Sequence, residues 1–317
     1  MLDNLIFCLN ATMPIFMMMV VGFILKKIRF VDDKSVSVMN KLVFKLFLPA
    51  LLFVDLATQN FVDIWDGQFV FFCFAATVIS IFLAALMAMF QKNKGDRGEF
   101  IQGSYRSAAA TLGIAFMTNI YEDVAMLALM IIGSVPLYNT AAVIILALTS
   151  PDREKVKSKK ELAISTVKSI VTNPIIVAVL GGLLWSVLGL PRPVIMFKSL
   201  TYLGNVASPL ALIVLGACFE ITDIREKFWP ILAVNFNKLI FFCLMFLPVG
   251  IYFGYRNEKI VALLIMLGSA TTSSSFIMAK NMGHEGKISS SVVMTTTFLS
   301  SFTLTVWLFI LRTFGYI

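Results

Sequence analysis

Two charged residues stand inside stretches that are otherwise almost wholly apolar, and these are the first places to look for chemistry. Asp55 follows the run Leu48-Pro49-Ala50-Leu51-Leu52-Phe53-Val54, and Lys238 sits beside Asn235 and Asn237 in a second apolar run. A charge within a bilayer-crossing segment is costly to keep, and by default it marks an ion or substrate path. Asp55 is therefore a candidate coupling group, such as a proton carrier. Lys238 is a candidate for attracting an anion or joining ion coupling, set against a structural role in which helix-end carbonyls or Asp55 satisfy it. Lys41, Lys45, Lys168 and Arg106 are placed nearer expected helix ends, where long side chains reach back to water.

A second kind of signal is polar but uncharged. The run Gly268-Ser269-Ala270-Thr271-Thr272-Ser273-Ser274-Ser275 is poor in bulky apolar residues, as is Thr111-Leu112-Gly113-Ile114-Ala115. Small residues in such segments let helices pack closely, and they also permit an unwound, polar crossing that lines a cavity. On the second reading the substrate contacts are Gly113, Ala115, Thr271, Thr272, Ser273, Ser274 and Ser275, with Asn139 of Pro136-Leu137-Tyr138-Asn139-Thr140 beside them. Thr295, Thr296, Thr297, Ser300 and Ser301 either line the same cavity or bond back to their own helix.

Other chemistry has little to work with. The single histidine, His284, lies in a short polar loop, and Cys8, Cys73, Cys218 and Cys243 lie in apolar stretches without paired spacing. Asp55 is the one carboxylate inside an expected span, which leaves no nucleophile–base pair or acidic metal cluster there. No Gly-rich Lys-Ser/Thr phosphate loop occurs. The expectation is a protein that is not an enzyme and takes no cofactor or metal.

The elements that must position these residues follow from hydropathy. Apolar residues make up 59% of the 317 and charged residues 14%, where a soluble domain carries about 25% charged. The apolar residues come in blocks about 20 long, enough for a helix to cross the hydrocarbon core, and the short alternating segments of a barrel are absent. The expected spans are 5–25, 38–58, 68–90, 103–120, 124–149, 164–190, 199–219, 229–252, 259–280 and 289–311. The first is read as a retained helix, since no basic n-region or small-residue cleavage site accompanies it. The net charge of +8 does not indicate nucleic acid, because the basic residues sit between apolar blocks. Sixteen Lys and Arg fall in odd-numbered loops against five in the others, so the odd loops are placed in the cytoplasm and both termini outside.

The chain also matches itself. Thr12-Met13-Pro14-Ile15 and Thr172-Asn173-Pro174-Ile175 stand 160 residues apart, as do Gly22 and Gly182, Pro49 and Pro209, and Phe116 and Phe276. Residues 1–150 and 164–317 are read as two five-helix repeats joined by a cytoplasmic loop at 151–163. Five being odd, the second repeat enters the membrane inverted, an arrangement shared by many secondary transporters. The fold class expected is all-α and integral to the membrane, with about ten transmembrane helices in two inverted five-helix repeats and with helices 4 and 9 broken where they cross.

Several longer segments carry a family likeness. They are Pro14 with Val21-Gly22, Asn40-Lys41-Leu42-Val43-Phe44 followed by Leu48-Pro49-Ala50-Leu51-Leu52-Phe53, Thr172-Asn173-Pro174-Ile175, Ala207-Ser208-Pro209-Leu210-Ala211-Leu212 with Leu215-Gly216, Lys238-Leu239, and Phe276-Ile277-Met278-Ala279-Lys280. In order and spacing the chain resembles the auxin efflux carrier family, which includes plant auxin exporters and bacterial carriers assigned to malate or malonate. Its short central loop is similar to the bacterial members. The resemblance implies helices 4 and 9 broken at their crossing, and uniport or ion-coupled movement of a small organic anion. Two features depart from the family: Ala115 and Ser275 replace the usual crossover prolines, and Ala110 replaces an asparagine before the helix 4 crossing. Without proline the chain keeps a backbone donor it would otherwise lose, so the crossing is expected to be less rigid.

Together these readings make the chain a cell-membrane secondary transporter of a small organic anion, dicarboxylate- or auxin-like. It would work by alternating access around helices 4 and 9, surrounded by membrane lipid, as a homodimer, and without nucleic acid. The alternative is a non-transporting membrane sensor or scaffold that keeps the carrier fold.

Overall fold

The computed structural model describes residues 17–58, 66–109, 125–150, 174–219 and 221–317, with Pro14, Met117, Ile120, Tyr121 and Thr172 besides. Among these residues all regular structure is helical. Besides the short helical turns Lys94–Asp96 and Ile221–Glu226, the helices are α1 (17–27), α2 (Asp33–Ala57), α3 (Gly67–Ala88), α4 (Arg97–Tyr105), α5 (Ala125–Thr149), α6 (Pro174–Val187), α7 (Val194–Ala217), α8 (Phe228–Tyr252), α9 (Glu258–Gly268), α10 (Ser274–Asn281) and α11 (Lys287–Thr313). Among the described residues six segments are long and apolar enough to cross a membrane: α2, α3, Leu129–Thr149 of α5, α7, α8 and α11.

Local chemistry sets several of these boundaries. Asp32 caps α2 by accepting from the Ser35 N–H, and Asp66 caps α3 by accepting from the Phe69 N–H. Pro49 has no N–H to give the turn before it, and α2 widens into a π turn over Val43–Phe47 immediately upstream. A second π turn, Asn237–Phe241, lies within α8 and holds Lys238. Gly286 opens α11 from the left-handed region (φ 78°), where a side chain would be strained.

The helices pack as two groups. In the first, α2 lies against α6 and α7, and glycines let the backbones touch. A Cβ at Gly22 of α1 would collide with the Ile213 carbonyl oxygen of α7, and one at Gly182 of α6 would stand 2.8 Å from the Phe53 carbonyl oxygen of α2. In the second group α3 packs on α4 and α5, α9 on α5 and α8, and α11 on α4 and α8. Large apolar side chains such as Phe71, Phe82, Leu184 and Ile195 face outward, as lipid-facing residues do.

Ion pairs tie helix starts within the second group. Lys227, before α8, bonds Asp96, before α4, at 2.6 Å, and Lys259 of α9 bonds Asp66 at 2.5 Å. The Lys259 ammonium beside Asp66, with the Phe69 N–H next to it, holds this carboxyl below the usual carboxylate range. Asp66 therefore contributes stability above its unfolded pKa of about 4 and loses it as pH falls through the lower folded value. Asp66→Asn should melt at lower temperature than wild type at pH 7, and the gap should close on acidification toward pH 3. Melting curves of detergent-purified protein check this, and a gap that does not change with pH contradicts it.

Where the expected spans fall on described residues, helices occupy them, and the fourth differs in its bounds. The fourth was placed at 103–120, interrupted by Arg106, Gly113 and Asn119; the described helix runs Arg97–Tyr105 and stops at Arg106, while Gly113 and Asn119 lie outside the described residues.

Candidate functional site

Two helices end inside expected spans, α4 within 103–120 and α9 within 259–280. Arg106 leaves α4 in an extended conformation (φ −71°, ψ 143°), and Ser269 leaves α9 the same way (φ −76°, ψ 165°). The two extended pieces meet. The Ala108 N–H donates to the Ala270 carbonyl at 2.8 Å, and the hydroxyls of Ser107 and Ser269 lie 2.5 Å apart.

Helix ends buried in this way leave carbonyls that need donors. Ser107 Oγ donates to the Ile265 carbonyl at 3.1 Å, and Thr271 Oγ1 donates to the Gly103 carbonyl at 2.9 Å. Tyr138 Oη and Lys238 Nζ both donate to the Met266 carbonyl, each at 3.3 Å. Gln102 Nε2 donates to the Ser275 carbonyl at 2.9 Å, and Thr296 Oγ1 accepts from the Thr271 N–H at 3.0 Å. Both breaks are thus closed by side chains, with no proline at either crossing.

Arg106 is 2% exposed. Its Nη2 donates to Asn139 Oδ1 at 2.9 Å and Ser274 Oγ at 2.7 Å, and its Nη1 reaches Met278 Sδ and Gln102 Oε1. No carboxylate among the described residues pairs with it, and its Nε has no hydrogen-bond partner. An ion buried without a counter-charge is costly, so this guanidinium is suited to receiving an anion. It borders a cavity of about 480 Å³ between the two helix groups. One wall is Leu48, Leu51, Leu52 and Asp55 of α2 with Ala207, Ser208 and Ala211 of α7; the other is Arg106, Ser107, Ala108, Val135, Tyr138, Asn139 and Thr272–Ser274.

The structure brings together five of the residues singled out from the sequence, since Asp55, Asn139, Thr272, Ser273 and Ser274 line this cavity. Thr271 and Ser275 instead serve the backbone of the crossing. Lys238, 1% exposed, lies behind the cavity wall and donates to the Met266 carbonyl near the end of α9. Gly113 and Ala115 lie outside the described residues. The expectation for Arg106, a side chain reaching water at a helix end, is corrected: it is enclosed at the break itself. Its signal was present, for it is the one charge between Phe100 and Tyr121. Ser107 and Tyr138 were also missed. His284 is buried despite its polar loop, with ring nitrogens 3.2 Å from the Gly95 carbonyl and 3.0 Å from that of Leu146. Among the described residues no His, Cys, Asp and Glu cluster is arranged to hold a metal.

Comparison with known proteins agrees with this architecture. The chain is 20% identical over 314 residues to the "Putative malonate transporter" of Rhizobium meliloti (strain 1021), covering 96% of this chain and 95% of that one. Its fold is similar to the sodium proton antiporter MjNhaP1 of Methanocaldococcus jannaschii, with a TM-score of 0.61, 11% identity, and coverage of 96% of this chain and 97% of that one. A family profile described as membrane transport protein matches residues 7–308. The chain is a multi-pass membrane protein and belongs to this membrane transport family, that of the auxin efflux carriers.

Proposed function

We propose that this chain is a secondary transporter of a small organic anion, whose carboxylate docks on Arg106 in the cavity at the crossing. The observation that carries the reading is a fully enclosed arginine, without an acidic partner among the described residues, on the wall of a cavity. Asn139 and Ser274 hold the guanidinium plane, leaving the substrate to supply the missing negative charge. The leucines of α2 offer its carbon skeleton an apolar wall.

The repeat expected from the sequence fits alternating access. Two contacts support it: Gly22 meets Ile213 and Gly182 meets Phe53, and since Gly22 and Gly182 stand 160 residues apart, as do Phe53 and Ile213, exchanging the halves turns one contact into the other. The ion pairs Asp96–Lys227 and Asp66–Lys259 correspond in the same way to within three residues. On this reading residues 1–150 and 164–317 are inverted halves, the odd loops face the cytoplasm, and the cavity opens alternately to each side.

The test is uptake and efflux of labelled malonate, malate, other small organic acids and indole-3-acetate in proteoliposomes, with and without a pH gradient. Saturable flux of one acid, which also raises the melting temperature of the purified protein, is the expected result. Sealed vesicles of folded protein that move no acid, with no acid shifting the melt, would overturn the proposal.

A further inference from the structure

Lys238 is a second buried cation, and its surroundings differ from those of Arg106. It sits in the π turn of α8, 1% exposed, and donates to a single described acceptor, the Met266 carbonyl. No carboxylate among the described residues pairs with it. Met266 lies in the last turn of α9, whose carbonyls have no further turn to bond and which carries the negative end of the helix dipole. Broken helices in transporters use such unwound carbonyls and C-terminal half-helix ends to bind coupling cations. Here that position is already served by a side chain of the same molecule. Tyr138 Oη shares the Met266 carbonyl and also lines the cavity, so one carbonyl separates this cation from the cavity wall.

We propose that the Lys238 ammonium is a tethered cation, filling at the end of α9 the place of an exchangeable monovalent cation, so that the crossing is held together without sodium. A tethered amine is held at high local concentration and needs no ion gradient to fill its site. This deepens the carrier reading only in its consequence that organic-anion movement here does not draw on a sodium gradient; the site itself is testable without any substrate.

The experiment uses full-length protein in detergent, melted in choline chloride, sodium chloride, methylammonium chloride or tetramethylammonium chloride. Wild type should melt at one temperature in all four. Lys238→Ala should melt several degrees lower in choline and recover in sodium and in methylammonium, but not in tetramethylammonium, which is too large for the vacated space. Lys238→Met, which fills that space without charge, should stay low in every salt. Wild type stabilised by sodium over choline would overturn the proposal, and that measurement stands even where a variant does not fold. An alanine variant that no small cation restores would equally overturn it, leaving Lys238 a packing residue. Because no acid is present, none of these outcomes bears on whether Arg106 binds an organic anion.

Discussion

Arg106→Gln should yield a folded protein whose acid flux is reduced by about 30-fold to several thousand-fold, the equivalent of about 2–5 kcal/mol for truncating one side of a buried, hydrogen-bonded charge pair. Without acid present, the same variant should melt no lower than wild type. The two signs together are diagnostic. A purely structural arginine, removed from beside Asn139 and Ser274, would cost stability. An arginine kept charged and unpaired for a ligand costs stability while it is present, so its loss relieves the empty protein. Arg106→Lys retains the charge but not the planar fork that spans Asn139 and Ser274, and should fall between the two. Paired flux and melting measurements on the three proteins decide the matter. Normal flux in the glutamine variant, or a lower melt with flux intact, would remove Arg106 from the binding role.

Glu99→Ala should produce the largest loss of stability of any single change considered. Glu99 is 1% exposed, and its two carboxylate oxygens accept the N–H groups of Gly286 and Ser289, each at 2.8 Å. These are donors at the start of α11, where the helix dipole favours a negative charge. Alanine would leave both N–H groups buried and unpaired, at about 1–3 kcal/mol for each. Glutamine is not a benign control, because its amide group must direct a donor at one of them. Both variants should therefore melt several degrees below wild type, alanine the lower, and be recovered in reduced amounts. An alanine variant that melts with wild type would show that water or a neighbouring side chain takes over the cap.

The same two residues explain how much of the site the sequence made legible. Span positions follow from blocks of apolar residues, a signal that sums over about 20 positions and survives local error. The position of a helix break has no such redundancy. At Arg106 it depends on Ser107 reaching Ile265 and Thr271 reaching Gly103, contacts across more than 150 residues that no local pattern records. Asp55, Asn139 and the run Thr272–Ser274 were readable because polar groups inside apolar blocks need a reason to be there. Glu99 was not, since it lies just before the expected start of its span and looks like a surface residue until α11 is folded onto it. Arg106 had the right signal but was discounted for its nearness to an expected helix end.

The two ion pairs have a consequence for how the chain assembles. Both acids, Asp66 and Asp96, come from the first 150 residues, and both bases, Lys227 and Lys259, from beyond residue 164. If the two parts are inverted repeats, as proposed, two copies of the first part docked on each other as the two parts are docked here would set acid against acid at these points. Two copies of the second would set base against base. Each part thus discriminates against its own kind and in favour of the other, and Glu99 adds to this by capping a helix from the second part. During synthesis the early helices enter the membrane carrying acids whose bases have not yet been made. The late helices then complete one specific partnership, and stray pairing between neighbouring chains is disfavoured by charge alone.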